Sequence, residues 1–87
     1  MTTSAVETNP RARTLRFKND QLVVDLLDGR TIAVPLTWFP RLLHATPTQR
    51  AKWRLVGRGE GIHWATLDED LSVAGLLRGT PSPLRPT

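Results

Sequence analysis

The sequence predicts a single small α+β domain, built from a three-stranded antiparallel meander, short helices, a second hairpin and a short C-terminal helix. Three observations carry that expectation. Between Thr14 and Pro35, apolar and polar residues alternate in short runs separated by turn residues, which is the period of half-buried strands. A helix-start signal follows at Thr46-Pro47-Thr48-Gln49. Alternation then resumes across a glycine-rich break between Trp53 and Trp64. With 87 residues, one domain is expected.

The ends differ in composition from the middle. Residues 1–13 are rich in Thr, Ser and Ala with a single Val, and residues 79–87 hold Pro81, Pro83 and Pro86. Both are expected to be disordered tails around a domain at 14–78. A domain of that size buries only about 60% of its chain surface, so a partner protein or a homodimer interface is the expected source of further stability.

In the meander, side-chain parity sets the register, because a slip of one residue would turn every apolar side chain outward. Leu15 and Phe17 share a face of the first strand; Leu22, Val24 and Leu26 share one on the second. A two-residue turn at Asn19-Asp20 sets Phe17 opposite Leu22 and Leu15 opposite Val24, so the faces agree. A two-residue turn after Leu27 would set Val24 opposite Ala33 and break that agreement. A three-residue loop, Leu27-Asp28-Gly29, instead pairs Leu26 with Arg30, Val24 with Ile32 and Leu22 with Val34, with Gly29 in the left-handed position.

After Pro35, Thr37 reads as a helix cap before Trp38, Phe39 and Pro40, with a short helix through Arg41 to His44. Thr46 then caps a second helix, with Pro47 at its first position and Gln49 completing a capping box. Trp53 and Leu55 alternate with Arg54, and Ile62 and Trp64 alternate with His63, as in a hairpin turning at Gly57, Gly59 and Gly61. Leu71, Val73, Leu76 and Leu77 have partial helical spacing, with Ser72 as cap and Gly79 as stop.

Composition removes several classes of function. Without Cys there is no disulfide framework, thiol nucleophile or thiolate metal site, which fits a reducing cytoplasm. The longest apolar stretches, Ile32 to Leu36 and Val73 to Leu77, fall far short of the roughly 20 residues that cross a bilayer. Met1 to Asn9 has neither the basic start nor the apolar run of a signal peptide. A cytoplasmic location without membrane contact is expected.

Catalytic chemistry has few candidate groups. Ser4 and Ser82 lie in the tails, and the cluster of acids and imidazole is His63 with Asp68, Glu69 and Asp70. A metal-dependent hydrolase would use His63, Asp68 and Asp70. The structural alternative is preferred: three acids just ahead of a helix favour its N-terminal dipole and supply capping oxygens. Gly57-Arg58-Gly59-Glu60-Gly61 lacks the Lys-Ser/Thr ending of a phosphate-binding loop and reads as a hairpin turn.

The basic segment is more informative. Arg41, Arg50, Lys52, Arg54 and Arg58 carry +5 with no acid among them, and Glu60, Asp68, Glu69 and Asp70 carry −4 directly after. Residues 1–13 contribute +1 and residues 78–87 contribute +2, so most of the overall +4 lies at the ends and hides a polarised core. Such a segment could track phosphates while Trp53 stacks on a base. Trp53 nevertheless shares the parity of Leu55, which places it in the core, and a dipolar surface suits protein partners equally. Trp38, Phe39 and Trp64 could form a recognition patch, but in so small a core they read as packing.

Taken together, these residues resemble a small bacterial family known as domain of unknown function 2442. The resemblance runs through Asp28-Gly29-Arg30, Val34-Pro35-Leu36 and Trp38-Phe39-Pro40-Arg41-Leu42, then Ala45-Thr46, Gln49-Arg50 and Trp53. It continues through Gly61-Ile62-His63-Trp64, Leu67-Asp68-Glu69-Asp70, Leu71-Ser72-Val73 and Gly75-Leu76-Leu77, covering about residues 14–79. Ala65 departs from it, since the family commonly has Pro after the Trp. The resemblance implies a compact α+β domain with no established catalytic residues and no cofactor. Members are often encoded beside a second small protein in operons that look like toxin and antitoxin pairs.

The expectation is therefore a non-enzymatic binding or regulatory module, antitoxin-like, whose partner is another small protein encoded next to it. Nucleic-acid binding through Arg41, Arg50, Lys52, Arg54 and Arg58 is the alternative, and a metal-dependent hydrolase is the least favoured. Trp38, Pro40, Trp53, His63, Trp64, Asp68, Glu69 and Asp70 are read as signature residues with structural roles.

Overall fold

The computed structural model describes residues 10–79; the expected tails lie for the most part outside the described residues. Strands β1 (Ala12–Lys18), β2 (Gln21–Leu26) and β3 (Thr31–Pro35) are followed by a 3₁₀ turn at Leu36–Trp38 and helices α1 (Pro40–Leu43) and α2 (Pro47–Arg50). Then come β4 (Arg54–Val56), a 3₁₀ turn at Gly57–Gly59, β5 (Gly61–Trp64), a third 3₁₀ turn at Ala65–Leu67, β6 (Glu69–Ser72) and α3 (Val73–Arg78). The strands form two antiparallel sheets in the orders β1-β2-β3 and β4-β5-β6. The domain is α+β.

The first sheet follows the parity argument. Phe17 faces Leu22, Leu15 faces Val24, Val24 faces Ile32 and Leu22 faces Val34. Asn19 and Asp20 both have positive φ, 52° and 62°, the pair that lets a two-residue turn follow the strand twist. In the next loop the Leu26 N–H donates to the Arg30 carbonyl at 2.8 Å, and Gly29 takes a φ of 97°. On the outer face, Asp25 ties three strands together: Arg16 lies 2.6 Å from its Oδ2 and the Thr31 hydroxyl donates to its Oδ1 at 2.8 Å.

Three expectations need correction. The first strand starts at Ala12, ahead of Thr14, and its register shifts between Ala12 and Thr14. That bulge turns Ala12 into the core and Arg13 to solvent, where strict alternation from Leu15 would bury the arginine. Thr37 is not a cap: it lies inside the 3₁₀ turn, where the Phe39 N–H donates back to the Leu36 carbonyl at 2.8 Å, and the helix begins at Pro40. Finally, Glu69 and Asp70 are not residues ahead of a helix but part of β6, paired with Trp64 and His63. The shortened helix that follows matches expectation, with the Ser72 hydroxyl accepting from the Gly75 N–H and Gly79 left-handed at its end.

Side chains of both sheets and the helices meet in one core. It takes Leu15, Leu22, Val24, Leu26 and Val34 from the first sheet, Ile62, Trp64 and Leu71 from the second, and Leu36, Phe39, Leu42, Val73 and Leu76 from the turns and helices. Trp64 is fully buried, and its indole N–H donates to the Arg50 carbonyl at 3.0 Å. Phe17 meets the Trp64 ring edge-on at 6.4 Å. Trp38 and Trp53 are half-buried against the same core, so the aromatic residues serve as packing. The loop between β4 and β5 is pressed onto β1 at Gly59, whose φ is 93°.

Candidate functional site

The capping box at Thr46 is where the basic segment acquires its geometry. The Thr46 hydroxyl accepts from the Gln49 N–H at 3.1 Å, and the Gln49 side chain accepts from the Thr46 N–H at 2.9 Å. This closes α2 and places Arg50 at its end, facing α1. The Arg50 guanidinium donates to the Leu42 and Leu43 carbonyls, each at 2.8 Å, adding to the Ala45 N–H that the Leu42 carbonyl accepts at 3.2 Å and supplying the Leu43 carbonyl with a donor at the helix C-terminus. It also lies over the Phe17 ring at 5.7 Å. Arg50 is thus engaged in holding α1, α2 and β1 together.

Arg41 is engaged in a different way. Glu69 is only 5% exposed, and a buried carboxylate is costly unless a cation stands close. Arg41 lies 3.6 Å from its Oε1 and donates to the neighbouring Asp68 carbonyl. The contact joins α1 to the start of β6.

Lys52, Arg54 and Arg58 are exposed, and none of them makes an ion pair among the described residues. They cluster around β4. Lys52 precedes the strand, Arg54 lies on it, and Arg58 stands in the following turn with a φ of 61°, between Gly57 at 59° and Gly59 at 93°. The glycine stretch is therefore a hairpin connection held by left-handed residues. β4 lies at the margin of its sheet, bonded to β5 alone.

Across that sheet, one cross-strand row runs Arg54, His63, Asp70. His63 Nδ1 stands 2.6 Å from Asp70 Oδ1; the imidazole is 23% exposed and the carboxylate 71%. A carboxylate so placed orients the ring and can support proton transfer at its far nitrogen. Asp68, which the hydrolase reading needs beside them, occupies a left-handed turn position before β6, and among the described residues no three His, Asp or Glu groups converge as a metal site. The Ser72 hydroxyl is engaged in capping α3. The sheet is polarised, with cations about β4 and exposed Asp68 and Asp70 at β6.

Sequence reasoning treated the basic segment as one unit, which the structure divides into engaged and exposed cations. The signal for the division was present in part: Glu69, Leu71 and Val73 alternate with Asp70 and Ser72, the pattern of a strand. A charged residue at a core-facing position concealed it.

The fold and the surface define a small α+β domain of two antiparallel meanders sharing one core, with a charged second sheet. The family model described as "Protein of unknown function (DUF2442)" matches residues 12–82, and the chain belongs to that family. A crystal structure of a protein of unknown function from Rhodospirillum rubrum is 36% identical, with a TM-score of 0.75, covering 87% of this chain and 94% of that one. The solution structure of an uncharacterised protein from Chromobacterium violaceum is 25% identical, with a TM-score of 0.71 over 84% of this chain and 69% of that one. No curated protein matches the chain significantly. Among the described residues no helix is long and apolar enough to cross a membrane.

Proposed function

We propose that this chain is a small cytoplasmic binding module, antitoxin-like, that takes a partner protein onto the cationic margin of its second sheet. One observation carries the reading. Of the five cations between Arg41 and Arg58, Arg41 and Arg50 are engaged within the fold, which leaves Lys52, Arg54 and Arg58 exposed together about β4. Carboxylates stand at the opposite margin, and such a dipolar face orients a charged partner and speeds its encounter. The gene arrangement implied by the family resemblance makes a small protein encoded alongside the natural partner. Binding rather than catalysis is favoured because the Ser72 hydroxyl, the nucleophile that a His63–Asp70 pair would need, is engaged in capping α3.

Size-exclusion chromatography of the chain with the product of its neighbouring gene tests the reading. A complex at micromolar concentration is expected, weakened by Arg54→Glu; no complex at that concentration overturns it. A second reading, nucleic-acid contact, uses the same three exposed cations. For duplex DNA it predicts that log Kobs falls with log salt with a slope of about −2.7, the value for three phosphate contacts.

A further inference from the structure

Building on that partner-binding reading, we propose that the partner enters as an extended acidic segment and adds a fourth strand to the β4 margin of the β4-β5-β6 sheet. β4 is hydrogen-bonded to β5 on one side, and among the described residues no backbone bond is made along its other side. An unpaired strand margin is a template for another strand, because its outward N–H and C=O groups need partners that an extended peptide supplies at the right spacing.

The side chains say what that peptide would look like. Arg54 and Val56 are exposed, whereas Trp53 and Leu55 are half-buried against the core. An added strand would therefore set a carboxylate beside Arg54 and an apolar side chain beside Leu55, alternating with the pleat. Lys52 just before β4 and Arg58 just after it extend the preference for acids to both ends. Opposite charges side by side across strands are favourable and like charges are not.

The same arithmetic argues against a second copy of this chain as the occupant. Pairing β4 with β4 would bring Lys52, Arg54 and Arg58 of both copies together. The opposite margin, β6, is acidic, but Arg41 closes its start by its contacts with Asp68 and Glu69. Nucleic acid is disfavoured because the exposed cations follow a strand margin flanked by half-buried apolar side chains, and Arg41 and Arg50 are occupied elsewhere. Cations on the margin thus block self-pairing and select an acidic strand.

The test is an amide NMR titration of the full chain with a capped peptide of alternating Glu and Val, about eight residues long, enough to cover one strand. Shift changes and slowed amide exchange confined to residues 52–58 are expected. Arg54→Glu and, separately, Lys52→Glu should each weaken binding about tenfold or more while melting like the parent. A peptide N-methylated at alternate residues should not bind, since it cannot complete the ladder. The proposal is overturned by shifts elsewhere, by binding that survives N-methylation, by equal binding of a Lys-Val peptide, by tighter binding of oligothymidylate on the same residues, or by concentration-dependent self-association in sedimentation. If the neighbouring gene product forms a complex that Arg54→Glu weakens while the Glu-Val peptide does not bind, the partner-binding reading stands without this one.

Discussion

Two glycines with almost the same backbone angle allow the seating of the β4–β5 loop to be measured. Gly59 has a φ of 93°, and a Cβ built on it would stand 2.6 Å from the Ala12 carbonyl oxygen and 3.3 Å from the Ala12 nitrogen. Gly29 has a φ of 97°, and a Cβ there would meet nothing within 4 Å. Alanine at either position incurs left-handed strain of about 1–2 kcal/mol. Each also stiffens the unfolded chain, which offsets about 0.4–1 kcal/mol. These contributions are shared and cancel in the comparison. Only Gly59→Ala adds a collision with backbone that cannot turn aside, at a cost of about 1–3 kcal/mol. Gly29→Ala should therefore lose about 1 kcal/mol and Gly59→Ala about 2–4 kcal/mol, out of a total of roughly 4–10 kcal/mol for a domain of this size. Urea unfolding followed by tryptophan fluorescence reads the difference directly, with the fully buried Trp64 as reporter. In thermal melts each 1 kcal/mol is worth about 4–8 °C. Equal losses for the two variants, within about 0.5 kcal/mol, would refute the seating of the loop on β1 and with it the fixed position of Arg58.

Arg50→Ala should cost about 2–4 kcal/mol by thermal or urea unfolding, because the Leu42 and Leu43 carbonyls lose charge-assisted donors; Arg50→Lys should recover less than half, since an ammonium lacks the planar fork. Full recovery by Lys would show that charge alone matters there. The Asp25 carboxyl is held below its ordinary pKa of 3.8 by the Thr31 hydroxyl and then by Arg16, so its contribution is present above that value and is lost as pH falls through the lower folded value. Asp25→Asn should therefore lower the melting temperature at pH 7, with the gap closing as the pH is taken below the ordinary carboxylate value of 3.8. A gap that persists unchanged in acid would contradict the assigned cause.

The parts of the fold that could be read from sequence were those decided by neighbours along the chain. In the first meander, parity and loop length close on one another, so Asn19-Asp20 and Leu27-Asp28-Gly29 settle the register between them. The capping box at Thr46 is equally local, with every partner within three residues. Two of the three misreadings were decided by contacts distant along the chain, and the one at Thr37 by a local competition. Ala12 is core because a bulge shifts the parity at Arg13, and nothing in the run Arg11-Ala12-Arg13 signals an extra residue. Thr37 has the right chemistry for a cap, but the Leu36 carbonyl takes the Phe39 N–H first and tightens the chain into a 3₁₀ turn. β6 escaped notice because Glu69 faces inward, and what makes that tolerable is Arg41, 28 positions earlier in the chain.

That same long-range pair decides what the basic segment can do. Read along the sequence, Arg41, Arg50, Lys52, Arg54 and Arg58 are equivalent charges, and a phosphate-tracking surface is the alternative they offer beside a protein partner. Folding separates them by geometry. Arg50 ends a capped helix short enough to turn its guanidinium back onto α1, and Arg41 is drawn to a carboxylate that β6 carries inward. Once β6 is a strand, β5 becomes the centre of its sheet and β4 its margin. Lys52, Arg54 and Arg58 are then the charges that line an open strand rather than a helix face. A residue that looks like a misfit, an inward glutamate, is therefore what places cationic charge beside unpaired backbone, and an acidic extended segment satisfies both at once.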